Sequence, residues 1–179
     1  MVAYLLLLVA VLSRVLPHAG WWNFTLVGGA LLYFGAKRPW REMIAPLAAL
    51  IATDCYVTVF QNPAFSIRWE QTVSWVWYAV AMGLGAAILG KKVTLGRGVV
   101  AALAGPTSFF VISNFCVWMS GFMVNYPRTL AGLGACYMAA VPFYRNDVIS
   151  TAVVMGAMLG VPVLVRRMQP AAVPVVAGK

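Results

Sequence analysis

The sequence predicts an all-α integral membrane protein: a bundle of six transmembrane helices plus one short or re-entrant helix. Three observations carry this. Of 179 residues, 63% are hydrophobic and 9% charged, and the mean hydropathy of +0.86 leaves too little polar surface for a water-soluble domain. The apolar residues fall into runs near the roughly 20 residues that cross a hydrocarbon core of about 30 Å. The 13 basic residues, against four acidic ones, stand singly or in short clusters at the ends of those runs. That placement is a topology signal, and no basic stripe or RNA-binding motif accompanies it, so nucleic acid is not the expected partner.

The first run, residues 2–16, has no basic segment before it and no A-x-A cleavage pattern after it, so it reads as a retained helix and not a signal peptide. Spans 21–36 and 43–60 follow, separated by Lys37, Arg38 and Arg41. Residues 71–90 form the fourth span and 98–120 the fifth, with Lys91, Lys92 and Arg97 between them. The next run, 129–142, would make roughly 21 Å of helix, short for a crossing. With Pro127 near its start and Pro142 closing it, it is expected to be a short or re-entrant helix entering from the outer side. The sixth span, 147–165, leads to Arg166, Arg167 and Lys179.

Basic connections stay in the cytoplasm, which places the N-terminus and the tail inside and leaves Arg14, Arg68, Arg128 and Arg145 outside. Seven full spans are the alternative, but they would carry Arg166 and Arg167 outward. Residues 1–167 are expected to form a single domain and 168–179 a flexible cytoplasmic tail. Small residues four apart favour close packing: Ala45 with Ala49, Ala48 with Ala52, Ala101 with Gly105, and Gly156 with Gly160.

Polar residues gather toward one end of this arrangement. Asp54, Thr58 and Gln61 share a face of the third span; Glu70, Ser74 and Tyr78 share one on the fourth, with Gln71 and Trp75 alongside. Thr107, Asn114 and Trp118 share one on the fifth, and His18 and Asn23 follow the first span. The opposite halves are mostly Ala, Gly, Leu and Val. Polar groups facing lipid cost several kcal/mol unless satisfied, so these faces should turn inward and line a cavity open to the outside.

Asp54 is the most conspicuous member, because a charge at mid-depth costs roughly 2.5 to 3.5 kcal/mol. It either lines a ligand site or closes it, or it forms a structural tie with Arg14, Arg68 or Arg128. The residues expected to line the site are Asp54, Trp75, Tyr78, Asn114 and Trp118, with His18, Asn23 and Arg128 capping it. The competing reading of the tryptophans is an interfacial aromatic belt, and that of Asn114 is a helix-to-helix hydrogen bond. A lone histidine cannot build a metal site. Cys55, Cys116 and Cys136 lie in apolar segments without CxxC spacing, which indicates buried thiols and no disulfide framework, zinc site or other cofactor.

The segments LPHAGWWNFT (16–25), ATDCY (52–56), GPTSFFVISNFCVW (105–118), NYPRTLAGLGACY (125–137) and VPFYRND (141–147) resemble a bacterial family of unknown function grouped with transport proteins. That family in turn is similar to the substrate-binding S components of energy-coupling-factor vitamin transporters. GPTSFF is similar to the GPT-G-G-Y segment of biotin-binding members, with Ser108 and Phe109 in place of the glycines, and PFYRND to their PF-x-x-G-D segment, with Asn146 for the glycine. The resemblance implies six spans in a bacterial cytoplasmic membrane, a pocket near the outer face, and uptake of a vitamin-like micronutrient. It also implies partners: a transmembrane coupling subunit and cytoplasmic ATPases. The A-x-x-x-A docking motif common in the first span is missing here, since Leu7 stands four residues after Ala3.

The leading functional expectation is therefore a transport protein that captures a small organic solute. A noncatalytic assembly subunit of a larger membrane complex is the alternative. An enzyme is not expected: no nucleophile and base, paired carboxylates or metal cluster stand at workable spacing, and adjacent Asp54 and Cys55 point about 100° apart on a helix.

Overall fold

A computed structural model describes residues 1–16, 24–61, 69–90, 93–121 and 124–168. Among them stand six α-helices and no strand: α1 (Val2–Val15), α2 (Val27–Lys37), α3 (Ile44–Tyr56), α4 (Trp69–Leu89), α5 (Leu95–Ser120) and α6 (Leu130–Met168). A turn of 3-10 helix, Trp40–Met43, leads into α3, and a turn of π-helix, Val57–Gln61, extends it. The runs Trp40–Gln61, Trp69–Leu89 and Leu95–Ser120 are long and apolar enough to cross a membrane; Val2–Val15 is apolar but shorter. Large apolar side chains such as Leu5, Leu8, Val76 and Met138 stand exposed on the outside of the bundle, where a lipid phase would cover them.

The core forms around α2, in which eight of eleven residues are buried. Its glycines make this possible. A Cβ on Gly35 would overlap the Met82 carbonyl, and one on Gly85 would overlap the Leu32 carbonyl, so α2 and α4 meet backbone to backbone. On another side, a Cβ on Gly29 would press into the Val154 side chain of α6. Ala3, Leu7 and Ala10 form the buried stripe of α1, one turn apart, and pack against α2.

Successive helices alternate in direction. At one end Tyr4 of α1 and Arg38 beyond α2 both donate to Glu42 before α3, with Arg38 Nε to Glu42 Oε2 at 2.6 Å. Toward the other end the close of α1, the close of α3 and the middle of α4 meet through Arg14, Asp54 and Tyr78.

α3 lies at the edge and buries little, with Pro46, Leu50, Thr53 and Asp54 facing inward. Polar contacts hold it. Gln71 Nε2 donates to Thr58 Oγ1 at 2.6 Å, and Gln61 Nε2 donates to the Val15 carbonyl at 3.1 Å. Such ties matter in a bilayer, where apolar contact between helices gains little over contact with lipid tails.

The largest departure from the sequence reading is α6. The expected short helix 129–142 and the expected span 147–165 are one continuous helix of 39 residues, about 58 Å long. Pro142 does not close it; the helix continues through the proline for 26 residues more. It runs back along α5 at least as far as Leu159, which lies against Gly98, and is fastened by Tyr137 Oη to the Val111 carbonyl at 2.7 Å and by a hydrogen bond of 2.9 Å between Thr107 and Tyr144. The small-residue expectations also divide. Ala101 and Gly105 are buried, whereas Ala45, Ala48, Ala52 and Gly156 are exposed, and a Cβ on Gly156 or Gly160 would meet nothing within 4 Å.

Candidate functional site

A cavity of about 630 Å³ opens at the end of the bundle where α2, α4 and α6 begin and α1 and α5 end. Val124 and Tyr126, in the segment between α5 and α6, line its mouth. Arg14, Ser74 and Tyr78 form one wall, and Phe109, Ser113 and Asn114 of α5 another. α6 contributes Cys136, Ala140, Phe143 and Asp147, a stretch of about 16 Å along the helix, so the cavity runs deep. Its floor is Asp147 with Gly28 and Trp77. A side chamber of about 80 Å³ shares Asp147, Asn114 and Phe143 and adds Phe110 and Tyr144.

The local sequence explains this opening. α2 starts only at Val27, so its short body leaves the space above Gly28 unfilled. Below, Trp77 Nε1 donates to Ser108 Oγ at 3.0 Å, and the Trp77 and Phe109 rings lie 4.7 Å apart, which fixes an aromatic wall. Ser108 in turn donates to the Gly105 carbonyl at 2.7 Å, beside the buried Pro106.

The residues anticipated from sequence separate into groups. Tyr78 and Asn114 line the cavity. Asn114 also donates to the Phe110 carbonyl at 2.8 Å, one turn back in its own helix. Asp54 does not line it. Its carboxylate, 4% exposed, accepts from Arg14 Nε on one oxygen and from Trp75 Nε1 at 3.1 Å and Tyr78 Oη at 2.8 Å on the other. Asp54 is thus the structural tie between α1, α3 and α4, and Trp75 is part of that tie. The partner is Arg14, not Arg128.

Trp118 and Arg128 do not line the cavity and stand beside its mouth segment. Trp118 Nε1 donates to the Pro127 carbonyl at 2.9 Å, and the Arg128 guanidinium lies 5.6 Å from the Trp118 ring centre, a cation–π contact that fastens the mouth segment to α5. His18 and Asn23 fall outside the described residues.

Asp147 is the residue that sequence reasoning missed. As the first residue of the expected span 147–165 it would stand at the membrane boundary, but continuity of α6 carries it to mid-bundle, three residues beyond the Tyr144 that meets Thr107 near the middle of α5. A signal was present: Asp147, Ser150 and Thr151 stand at i, i+3 and i+4, and all three are buried. Among the described residues no group of His, Cys, Asp and Glu could hold a metal ion. The arrangement can enclose an organic molecule between ring faces and present to it a carboxylate, an amide and hydroxyls.

A family model described as a family of unknown function (DUF6580) matches residues 1–172. Nothing in that match links the chain to energy-coupling-factor S components. No curated protein and no solved structure matches the chain.

Proposed function

The chain belongs to this family of unknown function, and we propose from its own geometry that it is a membrane transport protein that captures a small organic solute from the outer side. The observation that carries the reading is the cavity of about 630 Å³ at the polar end of an otherwise apolar bundle, within the several hundred Å³ usual for sites that enclose small ligands. A micronutrient of vitamin size fits such a space. In this reading the chain lies in the bacterial cytoplasmic membrane with six crossings and its N-terminus inside, as the basic residues at 37–41 and 91–97 favour.

Release to the inside requires the bundle to open around α2, whose glycine contacts with α4 and α6 are close yet depend on few side chains. A coupling subunit and ATPases of the S-component kind would supply the energy. That part rests on the sequence segments alone. The protein itself is read as noncatalytic, a carrier that leaves its cargo unchanged.

The test is to purify the full chain in nanodiscs, denature it and identify released small molecules by mass spectrometry. One organic solute in near-stoichiometric amount supports capture. Obligate co-purification with a large membrane protein and no released solute would replace it with the assembly-subunit reading. The exposed Gly156 and the half-buried Gly160, at each of which a Cβ would meet nothing within 4 Å, favour that second reading.

A further inference from the structure

The floor of the cavity differs in kind from its walls. Asp147 is 8% exposed, faces both chambers and makes no ion pair with any described residue. The cation in the adjoining wall, Arg14, is already committed to Asp54. Beside Asp147, one turn on, lies the fully buried Thr151, whose hydroxyl is the carboxyl group's hydrogen-bonding neighbour. A carboxylate at this depth is expensive unless something neutralises it, and the described residues form no ion pair with it.

The surroundings are arranged around that carboxylate. A Cβ on Gly28 would lie 3.5 Å from Asp147 Oδ1 and 2.9 Å from Thr151 Oγ1, so the glycine keeps this corner open. Gly28 belongs to the first turn of α2, whose amino end carries no side-chain cap. Ring faces complete the enclosure: Trp77 against Phe109, and Phe110 against Tyr144, each pair at 4.7 Å.

We infer that the cavity takes a solute carrying a protonated nitrogen on a flat ring system, with the nitrogen seated on Asp147 and the ring held between the aromatic walls. The inference rests on the solute-capture reading above and adds its chemical class. A cationic N–H donor makes a charge-assisted hydrogen bond to the carboxylate and gains cation–π attraction from the rings. A neutral solute leaves Asp147 without a counter-charge, and an anionic one meets it as a like charge.

Three probes of one skeleton separate these cases: tryptamine, a cation at neutral pH; tryptophol, its neutral counterpart; and indole-3-propionate, an anion. Their binding to the full chain in zwitterionic-lipid nanodiscs is measured by equilibrium dialysis, with empty nanodiscs subtracted. Tryptamine is expected to bind at least about tenfold more tightly than tryptophol, with the anion weakest; Asp147→Glu keeps that order and Asp147→Asn abolishes it. Equal affinities, a preference for the anion, or amine preference surviving in folded Asp147→Asn overturns the inference and leaves solute capture standing. Failure of all three probes to bind overturns the inference as well, and solute capture is then decided by the released-solute measurement above. The ranking in the wild-type protein needs no variant, so a misfolded substitution does not blunt the test.

Discussion

Tyr78 donates its hydroxyl to Asp54 Oδ2 at 2.8 Å and also faces the cavity. One side chain therefore joins the tie that holds three helices to the wall that a solute would touch. Asp54 acts on the cavity through this link, at one remove.

Removing the charge at Asp54 should register first as lost stability. In Asp54→Asn the Arg14 guanidinium keeps its place without a counter-ion, and breaking a buried pair from one side costs on the order of 3 kcal/mol. Thermal melting in detergent should show this directly. Tyr78→Phe removes one of three donors and should cost about 1 kcal/mol. If Asp54→Asn melts like the wild type yet loses solute, Asp54 is a ligand contact and the tie is secondary.

The α2–α4 crossing should tolerate no added carbon. Gly35→Ala and Gly85→Ala each drive a methyl group into a backbone carbonyl of the opposite helix, and overpacking of this kind costs about 1 to 3 kcal/mol or more. Gly156→Ala meets open space and should stay within about 0.5 kcal/mol of the wild type. Equal melting temperatures for all three variants would mean that the helices do not cross this closely.

Beside the mouth segment, Trp118→Phe removes the hydrogen bond to the Pro127 carbonyl and weakens the Arg128 contact. Solute should leave several-fold faster while global stability changes by about 1 kcal/mol or less. Stopped-flow dissociation measures the first and thermal melting the second. Unchanged dissociation would remove the mouth segment from any part in retention.

Topology gives an independent check. Reporter fusions should place both chain ends in the cytoplasm, and an accessibility label at Arg128→Cys should react from the outer side only. Labelling from the cytoplasmic side would invert the orientation.

Much of this architecture was legible in the sequence because hydropathy and the cost of polar groups in lipid act on composition directly. The crowding of polar side chains at one end, the place of Tyr78 and Asn114 on a cavity there, and a structural tie for Asp54 as one of two options, with Arg14 one of three candidate partners, all followed from that. What stayed hidden depended on helix continuity and neighbour identity. Pro142 and the Arg145, Asn146, Asp147 cluster look like a loop, yet α6 runs straight through them, and this moves Asp147 from the boundary to the cavity floor. Small residues four apart are equally visible at Ala101 with Gly105 and at Gly156 with Gly160, but only the fold decides that the first pair is buried while a Cβ on either glycine of the second would meet nothing within 4 Å.

The most direct test compares the native mass of the folded protein with that of Ala140→Trp, in which an indole replaces a methyl group on the cavity wall. The account predicts a retained organic adduct of at most a few hundred daltons on the wild type and none on the variant, with both proteins folded. Bare mass in both, or an adduct that survives unchanged when the cavity is filled, would contradict it.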